Sequence, residues 1–228
     1  MRVMATRPAC ATDEWYHCYN RGVDKRIVFR HTRDYERFLA LLYTSNGSET
    51  DTMSSRFKLD LRSILAEKDN RGDPLVDIAV YCLMPSHVHF VLRQLVDGGI
   101  AKFMQKVFTA YTMYFNSRNA RTGALFAGTY KAKHIDDDRY LKCVVPYVLL
   151  NPIELFQTRW KEGVRDLISA KKQLYEYPFS SASSFTGEER IATKITGTSI
   201  RDYYDSLPTL KEMLQDATEY RREYSPDC

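Results

Sequence analysis

The chain has 228 residues, of which 44% are hydrophobic and 27% charged, so one domain with an elaboration and a sizeable core is expected and global disorder is excluded. Its longest apolar runs, such as Val144–Leu150, are far too short to span a bilayer, and the N-terminal stretch lacks the apolar core of a signal peptide, so a cytoplasmic protein that does not bind membranes is expected. Five cysteines, at 10, 18, 82, 143 and 228, show no CxxC spacing and read as reduced thiols, not as a disulfide or zinc framework.

In chain order, residues 1–14 read as a leader. The segment "WYHCYNRG" (15–22) reads as a short aromatic strand ending at a glycine. "VFRHTRDYERFLALLYTS" (28–45) has helical periodicity, with Phe38, Leu41 and Leu42 on one face and Thr32 as a capping residue. The polar stretch 46–74 reads as a variable insertion with one short helix near 59–67. Two strands, 75–84 and 87–94, follow, joined by a tight turn at Pro85-Ser86. A long amphipathic helix is expected over 100–118, a strand over 121–135 after a glycine turn, and a helix over 136–152 with acids in its first turn, where the helix dipole favours them. The order of elements matches the split βαββαβ pattern of an α+β ferredoxin-like sandwich with an antiparallel sheet. The remainder, 156–228, is a C-terminal extension, helical over its last part.

Charge is uneven along the chain. From Gly98 to Ile135 there are six Lys/Arg (102, 106, 118, 121, 131, 133) and no Asp or Glu, interleaved with seven aromatics. That composition suits a surface that neutralises phosphates and stacks bases. The competing reading, favoured for the aromatics, is an amphipathic helix with aromatics in the core and lysines in water.

His87 and His89, in "YCLMPSHVHFVL" (81–92), are two apart on a strand, so both side chains leave the same face while Val88 points the other way. Two neutral imidazoles on one face can share a divalent ion; a chance pair on a partly exposed strand is the alternative. Tyr147 and Asn151, in "PYVLLNP", are four apart and share a helix face. A tyrosine hydroxyl can attack a phosphodiester, and an amide oxygen one turn away could complete a ligand set. The alternative makes Tyr147 a rim aromatic and Asn151-Pro152 a helix stop. With sixteen tyrosines in the chain, periodicity does not choose a nucleophile.

Taken together, "YHCYNRGVDKRIVF" (16–29), "DYERFLALL" (34–42), "YCLMPSHVHFVL" (81–92), "YTMYFNSRNARTGALFAGTYKAKHI" (111–135), "DRYLKCVVPYVLLNPIE" (138–154) and "YPFSSASSFTG" (177–187) resemble the IS200-like Y1 transposases, and most closely their REP-associated branch. The resemblance implies a Y1 domain over 15–155. His87-Val88-His89 matches the family's HUH motif, Tyr147 its catalytic tyrosine, and Asn151 its third metal ligand. It implies single-stranded DNA cleavage and joining with Mg²⁺ or Mn²⁺ through a 5′-phosphotyrosine, hairpin-bearing single-stranded DNA as partner, a monomer or homodimer, and a bacterial cytoplasmic, nucleoid-associated location. Arg21, Gly22, Lys102, Arg118, Arg121, Lys131 and Lys133 are the matching candidates for DNA contacts. A hairpin-binding protein that has lost cleavage and a metal-free nucleic-acid-binding module are the rival readings. Two departures stand out: Pro85-Ser86 replaces the usual Pro-Asn, with little harm expected, and Pro146 precedes Tyr147. A proline there removes a helical hydrogen bond and crowds a carbonyl, at about 3 kcal/mol, and is expected to kink the helix.

Overall fold

The computed structural model describes residues 10–49, 61–66, 71–157, 160–186, 191–204 and 208–223. Among these, strands β1 (Trp15–Arg21), β2 (Val76–Met84), β3 (His87–Gln94) and β4 (Lys131–Ile135) form one sheet in the order β2-β3-β1-β4. Every neighbouring pair is antiparallel. The helices are α1 (Thr32–Thr44), α2 (Leu61–Ala66), α3 (Gly99–Arg118), α4 (Asp138–Leu150), α5 (Leu167–Glu176), α6 (Ile191–Ile195) and α7 (Leu210–Glu223). Strand order and connectivity are those of the ferredoxin-like sandwich, as the element pattern predicts.

The period-2 alternation of the strands sorts their side chains into two cores. Tyr16, Cys18, Val88, Phe90 and Leu92 pack with α1 and α3, whose Phe38, Leu41, Phe103, Val107, Tyr111 and Phe115 are buried. The aromatics of the basic stretch that lie on one face of α3 are therefore core residues, as favoured. Trp15, Val80, Cys82, Met84, Val91 and Ile135 face the other way and pack with α4, α5 and α7. A register shift between Ile78 and Val80 marks a bulge in β2. The sheet is thus covered on both faces, and the histidine pair lies on the α4 side.

Local signals explain the element ends. Asp34 accepts from the backbone amides of Arg30 and His31 and closes the start of α1. Asp137 accepts from Tyr140 N at 2.7 Å and caps α4. Asn46 clasps the two ends of the insertion, accepting from Leu75 N and Val76 N and donating to Val76 O. The expected insertion helix is α2, over 61–66; residues 50–60 and 67–70, like 1–9 of the leader, lie outside the described residues. The edge of β2 is covered by the segment after α5. Leu83 N donates to Phe179 O, and Tyr81 N donates to Ser181 Oγ. That pairing shields an edge that would otherwise be open.

One expectation needs correction. The strand predicted over 121–135 is formed only at 131–135. Gly123 and Gly128 take positive φ, and the path between them is an irregular loop bridged to Gly22 through Phe126. Pro146 lies inside α4, which runs without a break from Asp138 to Leu150. It is buried and lines a small cavity with Leu149 of α4 and with Tyr175, Ala182 and Met213 of the extension.

Candidate active site

The site is built where β1, β3 and α4 meet. Register places Tyr19 opposite His89 and Arg21 opposite His87, so His17, Tyr19 and Arg21 share a face with the histidine pair. The rings of His87 and His89 are 5.2 Å apart, centroid to centroid, and perpendicular. His87 is half-buried and His89 buried. The His89 ring is 5.2 Å from that of His17 and 5.7 Å from that of Tyr19, both nearly parallel to it, and the His17 and Tyr19 rings are 5.1 Å from each other.

Helix α4 lays Tyr147 over this face. Its ring stands edge-on to His89 at 5.9 Å and to His17 at 6.2 Å. Tyr220 of α7 packs on the same ring at 4.4 Å, and Tyr147 is only 3% exposed. Helix α7 is held along α4 by Arg139, which pairs with Glu219 and Glu223. Asn151, also buried, ends α4; its amide nitrogen donates to Tyr147 O at 2.8 Å and lies 3.5 Å from Val148 O. The residues singled out on two separate elements, His87 and His89 of β3 and Tyr147 of α4, are therefore brought together, and Asn151 stands one turn from Tyr147.

A residue that sequence reasoning missed completes the cluster. His17 Nε2 lies 2.9 Å from His89 Nδ1, and His17 Nδ1 lies 3.0 Å from Tyr220 Oη. Burial, reinforced by the nearby Lys133 ammonium, pushes the His17 pKa down to about 3, so its imidazole is neutral at ordinary pH. The signal was present in "HCYNR", where His17, Tyr19 and Arg21 alternate onto one face. Nothing local points to Tyr220, 203 residues from its partner.

His87, His89 and Asn151 are the residues here that could hold a divalent ion. Nδ1 of His87 is 3.1 Å from Ser86 Oγ and Nδ1 of His89 is bonded to His17, so Nε2 is on each ring the nitrogen outside these bonds. The Asn151 amide nitrogen donates to Tyr147 O, which leaves the amide oxygen as the atom that could ligate. Two imidazoles and an amide oxygen make a borderline-to-hard donor set. Among the described residues, no three His, Cys, Asp or Glu side chains form a metal-holding group.

The candidate DNA contacts divide. Arg21, Lys131 and Lys133 are exposed and lie on the histidine face, with Lys131 Nζ 5.8 Å from the Tyr19 ring and Lys133 Nζ 4.9 Å from that of Tyr140. Lys102 and Arg118 are exposed on α3, which covers the opposite face, and Arg118 is 4.0 Å from the buried Asp34. Arg121 holds the loop after α3, donating to Asn116 Oδ1 and Ala124 O. Gly22 is buried, its amide donating to Ser86 O at 2.8 Å, so its place in the fold is explained by packing around the histidine hairpin.

Among the described residues, no helix is long and apolar enough to cross a membrane. No curated protein sequence matches the chain. Six solved chains resemble it. One, described as the structure of the REP associates tyrosine transposase bound to a REP hairpin, is 13% identical with a TM-score of 0.48, covering 91% of this chain and 98% of that one. The family model described as "Transposase IS200 like" matches residues 48–150, the stretch that carries the histidine hairpin, the basic α3 segment and the tyrosine of α4. Over that stretch this chain is similar to the IS200-like transposases, the family its motifs resemble.

Proposed function

We propose that this protein is a metal-dependent single-stranded DNA endonuclease and strand transferase with Tyr147 as its nucleophile. The observation that carries the reading is the seating of Tyr147 against His89, by a helix that begins only at Asp138, far along the chain from the histidine hairpin. Tyr147 Oη would attack the scissile phosphorus. A bond forms between that oxygen and the phosphorus, the bond from phosphorus to the 3′-oxygen breaks, the phenol gives up its proton, and the 3′-oxygen takes one to leave as a 3′-hydroxyl. The 5′-phosphotyrosine keeps the phosphodiester energy, so a second 3′-hydroxyl can reverse the step and join strands. His87, His89 and the Asn151 amide oxygen would hold Mg²⁺ or Mn²⁺, which supplies neutralisation of charge at the phosphate. Arg21, Lys131 and Lys133 would hold backbone phosphates on the same face, and a hairpin beside the cleavage site is the expected substrate form.

The test is adduct formation. A single-stranded hairpin oligonucleotide with Mn²⁺ should yield a covalent protein–DNA species with the wild type and none with Tyr147→Phe, while hairpin affinity stays within about twofold. An adduct surviving in Tyr147→Phe removes Tyr147 from the role. The binding-only reading draws on one observation, the cover of Tyr147 by Tyr220. Tight hairpin binding without an adduct, across several divalent metals, would favour it.

A further inference from the structure

We propose that His17, anchored by Tyr220, and Ser86 are positioning residues that fix the ring orientation and tautomer of the histidine pair, so that His87 and His89 both offer Nε2 to one divalent ion. The inference rests on the metal-dependent reading above.

The argument starts from hydrogen counting. A neutral imidazole carries one N–H and one lone pair. Tyr220 Oη, His17 and His89 are linked in series by contacts of 3.0 Å and 2.9 Å, and all three residues are buried. Only two directions are consistent along such a chain. In one, Tyr220 donates to His17 Nδ1, His17 Nε2–H donates to His89 Nδ1, and the His89 hydrogen is forced onto Nε2. That ring cannot ligate through Nε2. In the other, His89 Nδ1–H donates to His17 Nε2, His17 Nδ1–H donates to Tyr220 Oη, and His89 Nε2 keeps its lone pair. The assignment is the second direction.

His87 is arranged in the same way. Its Nδ1 faces Ser86 Oγ at 3.1 Å, and a hydroxyl that accepts from Nδ1–H leaves the lone pair on Nε2. The serine of the hairpin turn, a departure from the usual asparagine, thereby acquires a task. Hydrogen bonds to the second ring nitrogen orient ligating histidines and raise their basicity, and their loss costs about ten- to a hundredfold in metal affinity. The unusual element is the third member. Tyr220 lies on α7, so the C-terminal helix contributes an oxygen to the chain that ends at His89.

The test uses the full-length protein. Long-range ¹H–¹⁵N spectra of histidine-labelled, metal-free protein should show hydrogens on Nδ1 of both His17 and His89. A hydrogen on Nε2 of His89 overturns the relay. Mn²⁺ affinity, read from the electron paramagnetic resonance signal of the free ion, should fall about ten- to a hundredfold in Tyr220→Phe and in Ser86→Ala. Tyr220→Phe keeps the ring against Tyr147 and should also give mixed tautomers at His17. Unchanged tautomers and unchanged Mn²⁺ affinity in Tyr220→Phe overturn the proposal. His17→Gln, whose side-chain oxygen can accept from His89 Nδ1–H, should bind Mn²⁺ more tightly than His17→Ala; equal loss in both overturns the role of His17 as acceptor. Failure of the wild type to bind Mn²⁺ at all sinks the metal reading itself, and is distinguished by tautomers that remain as assigned.

Discussion

Lys133 on the edge strand is the direct cross-strand partner of His17, which places an ammonium group beside a buried imidazole. Both features oppose protonation of His17, and burial is the larger. A histidine whose folded pKa lies below its unfolded value of about 6.5 stabilises the fold fully above that value. The contribution is lost as pH falls from about 6.5 toward the folded value of about 3. Each pH unit in that window corresponds to about 1.4 kcal/mol for one group. Denaturant melts of metal-free protein at pH 4, 5 and 6 should therefore show a steeper loss of stability in the wild type than in His17→Gln. Parallel curves would mean that His17 is protonated without cost.

Gly22 offers a clean separation between packing and DNA contact. A β-carbon there would collide with Arg26 O and come within 2.8 Å of Val28 Cγ1. Its φ of −55° is open to any residue, so close approach is the constraint. Overpacking at such a point costs about 1–3 kcal/mol. Gly22→Ala should lower the melting temperature by several degrees, about 2–4 °C for each kcal/mol in a chain of this size. A variant that melts like the wild type but loses hairpin affinity would return Gly22 to the DNA surface.

What could be read from the sequence follows the reach of each signal. The Pro85-Ser86 hairpin and α4 came from local periodicity and turn chemistry, and their bounds agree with the structure to within two residues. The shared face of His87 and His89 followed from the pleat alone. The loop at 121–130 was misread because its Leu125, Phe126 and Tyr130 are buried like strand residues. They anchor an irregular segment, and Gly123 and Gly128 turn it away from the sheet. The relay through His17 to Tyr220 depends on register between β1 and β3 and on where α7 docks. No spacing rule connects groups that far apart in the chain.

Pro146 tests whether helix geometry matters for the proposed nucleophile. The helix is already unbroken, and Pro146 lines a cavity shared with the extension while Tyr147 faces the sheet. Pro146→Ala regains one backbone donor but removes buried ring atoms beside the cavity shared with Leu149 and Met213. These effects oppose each other, and the net change in stability should stay within about 1–2 kcal/mol. Adduct yield with a hairpin oligonucleotide should stay within about twofold of the wild type. A large gain in yield would show that the proline holds Tyr147 out of position.

The basic side chains should separate by the salt dependence of binding. Lys131 and Lys133 are exposed beside the histidine face, so on the proposed function each should contact a phosphate of the bound single strand. Each phosphate contact contributes about 0.7 to the slope of log affinity against log salt for single strands. Lys131→Ala and Lys133→Ala should each lower that slope by about this amount and leave the melting temperature nearly unchanged. Arg121 is different, because its guanidinium holds Asn116 and Ala124 in place. Arg121→Ala should lower thermal stability and weaken binding through the loop, with a smaller change in slope. Titrations of a hairpin oligonucleotide at several NaCl concentrations, run beside thermal melts, measure both quantities. If Arg121→Ala lowers the slope as much as the lysine variants and melts like the wild type, Arg121 contacts phosphate and its hold on the loop is incidental.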